Sequence, residues 1–186
     1  VIDITKSITE NLNNIAKAEG KAVSDLTVYI LDKPRHKPMI EEIRKAGARI
    51  TLHTDGDVLG ALLAALPNTG VDVLMGIGGT PEGVLAACAI KALNGGMQGM
   101  RAPQLEDEKE QLKKDGVKID EVLTLDTLVK SDNTIFSATG ITAGGYLEGV
   151  KKNSDGSITT QSLVIYSKTQ SIRFVEGIHK NGEVEI

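Results

Sequence analysis

The chain has 186 residues, 40% hydrophobic and 25% charged. Twenty-one Lys and Arg against 25 Asp and Glu give a formal charge of -4, which argues against the basic stripe of a nucleic-acid module. With 3% aromatic residues and no Trp, a stacking platform for bases is also missing, and the core must be built from Val, Ile, Leu and Ala. The length suits one domain that buries roughly 70% of its unfolded surface. No apolar run reaches the ~20 residues that span a bilayer, and no signal peptide opens the chain. The single cysteine, Cys88, excludes an internal disulfide and fits a reducing, cytoplasmic setting. Val1 stands where Met would open a complete chain, which fits a piece of something longer.

Ile8, Leu12, Ile15 and Ala16 fall on one helical face and predict a helix over 8–18. Leu26 to Leu31 (LTVYIL) is a continuous apolar run of strand length. Pro38 to Ala46 reads as a helix closed by Gly47. Ala48 to His53 (ARITLH) is a second strand, Val58 to Ala65 a helix ended by Pro67, and Val71 to Met75 (VDVLM) a third strand. Pro81 to Leu93 is a helix with Pro in its first turn and Gly95-Gly96 beyond its end. Strands alternating with helices imply βαβ units and a parallel sheet, hence an α/β fold. From Glu106 to Lys118 nine of thirteen residues are charged, the mark of a solvated helix. The chain then turns strand-rich: NTIFSA from Asn133, TTQSLVIYS, and SIRFVEGIH, with Asp155-Gly156 as a hairpin turn. These strands are expected to be antiparallel and attached to the parallel sheet, within one α/β domain over 1–186.

Three stretches at strand ends could carry chemistry, because ligands of parallel sheets bind outside the carboxyl ends of strands. Lys33-Pro34-Arg35 puts two cations across a stiff proline turn, suited to an anionic ligand; it also reads as an exposed basic turn that starts a helix. Asp55-Gly56-Asp57 suits a divalent metal or sugar hydroxyls, or a turn whose Asp57 caps the next helix. Gly76-Ile77-Gly78-Gly79-Thr80-Pro81-Glu82 lets the backbone approach a ligand at a helix N-terminus. Glu82 there is either ordinary helix electrostatics or a metal ligand. Neither G-x-G-x-x-G nor a P-loop lysine is present, which weighs against a nucleotide domain. His36, His53 and His179 lack ligand spacing. Cys88, Met75, Met97 and Met100 read as packing, and Gly140 to Gly149 as a further glycine loop.

Taken in order, LDKPRH, EIRKAGARI, DGDV, GVDVLMGIGGTPEGVLAACAIKALNGGMQG, ATGITAGGYLEGV, TTQSLV and RFVEGIH resemble class II fructose-1,6-bisphosphatase, over essentially the whole chain. The likeness is to the C-terminal part of that family, within the lithium-sensitive sugar-phosphatase superfamily. It implies an α/β/α sandwich that forms the second half of a two-part architecture. It also implies hydrolysis of fructose 1,6-bisphosphate to fructose 6-phosphate in gluconeogenesis, and of sedoheptulose 1,7-bisphosphate in some relatives, with Mn²⁺ or Mg²⁺. By the same likeness Lys33, Pro34 and Arg35 hold the phosphate that is not cleaved. Asp55, Gly56, Asp57 and Gly79 contact substrate, and Glu82 binds metal. The expected partners are a sugar bisphosphate, the preceding half of the same protein and further copies in a homodimer or homotetramer, with neither nucleic acid nor membrane. Glu82 alone cannot hold a metal cluster, so the chain by itself is expected to be inactive. The rival reading is a non-catalytic sugar-phosphate-binding or assembly domain.

Overall fold

Helix α1 (Ile8–Glu19) opens the fold with a capping box: the Ser7 hydroxyl accepts the Glu10 N–H while the Glu10 carboxylate accepts the Ser7 N–H. Gly20, left-handed at φ 65°, ends it. The computed structural model describes residues 1–142 and 145–180. Strands β1 (Thr27–Leu31), β2 (Arg49–His53) and β3 (Val73–Leu74) form a parallel sheet in the order β2-β1-β3, with β1 buried throughout. Helix α2 (Lys37–Ala46) joins β1 to β2, and α3 (Asp57–Ala65) joins β2 back to β3 on the far side of β1. Alternation along β1 sends Val28 and Ile30 to Leu12 and Ile15 of α1 and Ile40 and Ile43 of α2. The opposite face carries Tyr29, whose ring packs on Gly60 of α3. The expected α/β/α sandwich is therefore present.

The antiparallel strands depart from expectation in one respect. They are not attached to the parallel sheet but make one of their own. Strand β8 (Ile158–Tyr166) is its centre, with β9 (Ser171–His179) along one edge, and β6 (Ile135–Thr139) and β7 (Lys151–Lys152) along the other. Helices α3 and α4 (Thr80–Ala92) lie between the two sheets. Leu62 of α3, Leu66 at its C-terminal cap, and Ala89 and Ala92 of α4 meet Phe136, Leu163 and Ile165, while Ala61, Ala86 and Ile90 pack helix to helix. The physical reason is that both helices are apolar around most of their circumference, so each needs a second covering surface. Asp155-Gly156 makes the expected hairpin between β7 and β8, with Gly156 at φ 84°.

A short antiparallel pair, β4 (Gln98–Gly99) with β5 (Leu123–Thr124), flanks α5 (Glu106–Lys114), which buries no residue, and the one-turn helix α6 (Leu125–Leu128) follows. Cys88 is half-buried on α4. Met75 and Met97 pack as expected, but Met100, just beyond β4, lies exposed. Strand β9 overhangs the helices. Its Ile172 and Phe174 sit opposite the buried Ile165 and Leu163, yet are 40% and 53% exposed, and Ile178 on the same face is 62% exposed. No helix among the described residues is long and apolar enough to cross a membrane.

Candidate functional site

The strand order β2-β1-β3 creates a switch point. The chain leaves β1 toward β2 across one face of the sheet and returns to β3 across the other, and the strand ends at such a reversal are where parallel sheets place ligands. All three candidate stretches leave the sheet at this edge. After β1, Pro34–His36 forms a single 3₁₀ turn, closed by the His36 N–H to the Lys33 carbonyl at 2.9 Å. Arg35 is exposed and Lys33 half-buried. Lys33 Nζ lies 3.0 Å from Asp55 Oδ1, which ties the first stretch to the second. The Arg35 Nε–H donates to the Ile77 carbonyl at 2.8 Å, which ties the first to the third.

After β2, Gly56 is the N-cap of α3 in a left-handed conformation at φ 95°, a backbone that a side chain would strain. Asp57 is thus the first helical residue and not the cap; one carboxylate oxygen accepts the neighbouring Val58 N–H at 3.0 Å. Its other oxygen lies against Gly78, where a β-carbon would meet it at 2.5 Å. After β3, Glu82 stands in the first turn of α4 and folds back over Gly79, so that a β-carbon on Gly79 would collide with its carboxylate. A side chain at 78 or 79 would push the carboxylate of Asp57 or Glu82 out of its place against the turn.

Side chains beneath this edge hold it in place: His36 and His53, whose spacing marks no metal site, and Tyr29, which the sequence marks only as part of a strand. The Tyr29 hydroxyl, on a side chain 1% exposed, donates to the Gly56 carbonyl at 3.1 Å. His53 stacks on the Tyr29 ring with centroids 4.2 Å apart and planes 7° apart. Burial, and after it the charge of Asp57, pushes the Tyr29 phenol above its usual range, so it remains a donor at neutral pH. His36, 1% exposed, bridges the first and third stretches. The visible signal was a histidine placed one turn after a strand end, which metal-ligand spacing does not pick out.

The site is a shelf, not a pocket: Arg35, Gly56, Gly79 and Glu82 are exposed, and the Asp55 side chain is 84% exposed. A recess of about 230 Å³ lies elsewhere, on the antiparallel sheet between Glu148, Lys151, Thr160 and Glu176, where none of the candidate residues reaches. Carboxylate oxygens are the donors that Mg²⁺ and Mn²⁺ prefer. Yet no group of three His, Cys, Asp or Glu that could hold a metal ion occurs among the described residues. Glu82 thus fits such an ion in kind, while the donor count needs oxygens from outside them. The Gly140 to Gly149 loop falls partly outside the described residues.

Comparison with known proteins matches residues 1–179 to the family described as bacterial fructose-1,6-bisphosphatase, glpX-encoded. The chain is 42% identical over 192 residues to a class 2 fructose-1,6-bisphosphatase of Haemophilus influenzae, covering 96% of this chain and 57% of that protein. It is 41% identical over 197 residues to a D-fructose 1,6-bisphosphatase class 2/sedoheptulose 1,7-bisphosphatase of Trichodesmium erythraeum, covering 99% and 57%. To fructose-1,6-bisphosphatase 1 class 2 of Escherichia coli it is 41% identical over 191 residues, covering 96% and 56%. The chain spans a little more than half the length of these relatives. With its motifs set on one edge of a parallel sheet and the match running from end to end, the chain belongs to the class II fructose-1,6-bisphosphatase family.

Proposed function

We propose that this chain is the substrate-holding half of a metal-dependent sugar-bisphosphatase, whose complete form converts fructose 1,6-bisphosphate to fructose 6-phosphate and phosphate. The observation that carries the reading is the convergence of Lys33, Arg35, Asp55, Asp57, Gly79 and Glu82 at one switch point, in a chain of this family. Among the described residues only Nε of Arg35 is engaged, by Ile77, which leaves the terminal guanidinium nitrogens for a phosphate. Lys33, set in place by Asp55, adds a second charge to the same phosphate. Asp55 and Asp57, ionised, can only accept hydrogen bonds, which suits sugar hydroxyls and not phosphate. Gly79 brings backbone close to the ligand.

Glu82 would hold Mn²⁺ or Mg²⁺, with the remaining oxygens supplied by the polypeptide that completes the relatives' length. Such an ion, when bound, polarises the phosphoryl oxygens and activates water. The residues of this chain contribute binding energy at the remote phosphate, and that energy positions the reacting end. The open apolar strip of Ile172, Phe174 and Ile178 on β9 supports a missing partner segment, and assembly into dimers or tetramers, as its cover. The seven-carbon bisphosphate is included in the proposal because the Trichodesmium relative carries both names.

The test is phosphate release from fructose 1,6-bisphosphate by the complete protein with Mn²⁺. Glu82→Gln is expected to lower turnover by about a hundredfold or more, and the 186-residue chain alone to release none. Turnover by the chain alone refutes the half-site reading. Sugar-phosphate binding by a complete protein without any turnover makes it a binding module instead.

A further inference from the structure

We propose, on the reading just given, that His36 is a positioning residue that couples the phosphate-holding turn to the turn carrying Gly79 and Glu82. The ring lies between the turns after β1 and β3, 1% exposed. Its Nδ1 stands 2.8 Å from the Leu31 carbonyl; a carbonyl only accepts, so Nδ1 carries the proton. The neutral ring then offers a lone pair at Nε2, and the Ile77 N–H donates to it at 2.8 Å. The Ile77 carbonyl is also 3.1 Å from Nε2, but an Nε2 without a proton has nothing to donate to it, and it accepts from Arg35 Nε at 2.8 Å.

Two consecutive residues of the first turn thus take both polar groups of one residue in the third. Gly76 permits the approach, since a β-carbon there would lie 3.3 Å from His36 Cε1. From Ile77 the chain passes directly to Gly78, which bears on Asp57, and to Gly79, which bears on Glu82. A phosphate held by Arg35 fixes Ile77, and Ile77 fixes the backbone on which Glu82 rests. Binding at the end of the substrate that does not react is thereby converted into placement at the end that does. A histidine that merely fills a buried space would need neither the single tautomer nor both bonds.

Asparagine and glutamine separate the two bonds, because the Asn amide reaches the position of Nδ1 and the Gln amide that of Nε2. In the complete protein with Mn²⁺ and fructose 1,6-bisphosphate, H36N is expected to lower kcat/KM roughly tenfold, the loss of one cross-turn hydrogen bond. H36Q, which keeps the bond to Ile77, is expected to stay within about threefold of the parent. In parallel, hydrogen exchange at the Ile77 amide should be slow in the parent and in H36Q, and fast in H36N. Equal kinetics of the two variants, or an Ile77 amide indifferent to H36N, overturns the coupling. Should H36N not fold, H36Q decides alone: a tenfold loss or fast Ile77 exchange overturns it. Lys33→Ala and Arg35→Ala, assayed alongside, address the underlying reading. If neither raises KM, that reading falls whatever His36 does; if both do and H36N matches H36Q, only the coupling falls.

Discussion

Replacing Gly60 by Ala probes the contact that holds the Asp55-Gly56-Asp57 turn over the sheet. Gly60 lies inside α3, where alanine would ordinarily add roughly 1 kcal/mol of helix stability. Here the new methyl would overlap Tyr29 Cδ1 and Cε1 and approach Leu74 Cδ1 to 2.9 Å. Neither neighbour can move cheaply. Tyr29 is a buried residue of β1 bonded to Gly56, and Leu74 belongs to β3. Overpacking of this kind costs about 1–3 kcal/mol, and so close a contact belongs at the upper end, leaving a net loss of about 2 kcal/mol. For a chain of this size that lowers Tm by roughly 4–8 °C. Gly83→Ala is the control: it lies in the first turns of α4 with no atom within 4 Å of the added carbon, so it should raise Tm by about 2–4 °C. Calorimetry of both variants beside the parent reads the difference. A Gly60→Ala protein that melts with or above the parent refutes the tight Tyr29 contact and its bearing on the turn.

Asp72 accepts the Lys21 ammonium at 2.6 Å and the Thr27 N–H at 2.7 Å. Burial alone would raise its carboxyl, but those two donors outweigh it and hold the group below its usual range. Its stabilising contribution is therefore present above about pH 4 and lost as pH falls through the lowered native value. Asp72→Ala should cost about 1–3 kcal/mol at neutral pH in denaturant titrations, with the deficit shrinking in acid. Tyr29→Phe removes the hydroxyl bond to Gly56 and should cost about 1 kcal/mol. Because the phenol is held above its usual range, the parent should also lose stability as pH rises beyond about 10, a loss that Tyr29→Phe should reduce. Ser7→Ala breaks the capping box of α1 and should cost about 1 kcal/mol by thermal unfolding.

The parallel core was legible because its signals are local. LTVYIL has only Thr27 and the Tyr29 hydroxyl as polar groups and holds the strand buried along its whole length, and Gly47 ends α2 at φ 90°. Strands β4, β5 and β7 were not, since two residues have no period to read; β3, equally short, shows only through the longer run VDVLM around it. That the antiparallel strands form a separate sheet was present only indirectly. Leu62, Leu66, Ala89 and Ala92 face one way and Ala61, Ala86 and Ile90 another, so these stretches are covered on two sides, while Val84 and Leu85 early in α4 stay exposed. At the site, Lys33, Arg35, Asp55, Asp57 and Glu82 could be named from charge and strand-end position. The contacts of His36 with Ile77 and of Tyr29 with Gly56 span 41 and 27 residues of sequence. No spacing rule joins residues so far apart; only the 2-1-3 strand order does.

The most direct test of the central claim is a two-dimensional NMR titration of this chain with fructose 6-phosphate. If Lys33, Arg35, Asp55, Asp57 and Gly79 form the substrate shelf, the amides of 32–36, 55–57 and 76–79 should shift together and saturate at one common concentration. In Lys33→Ala and Arg35→Ala those shifts should move to at least about tenfold higher ligand concentration. Shifts confined to the antiparallel sheet, or an affinity unchanged in both variants, would contradict the assignment of the substrate site to this edge of the fold.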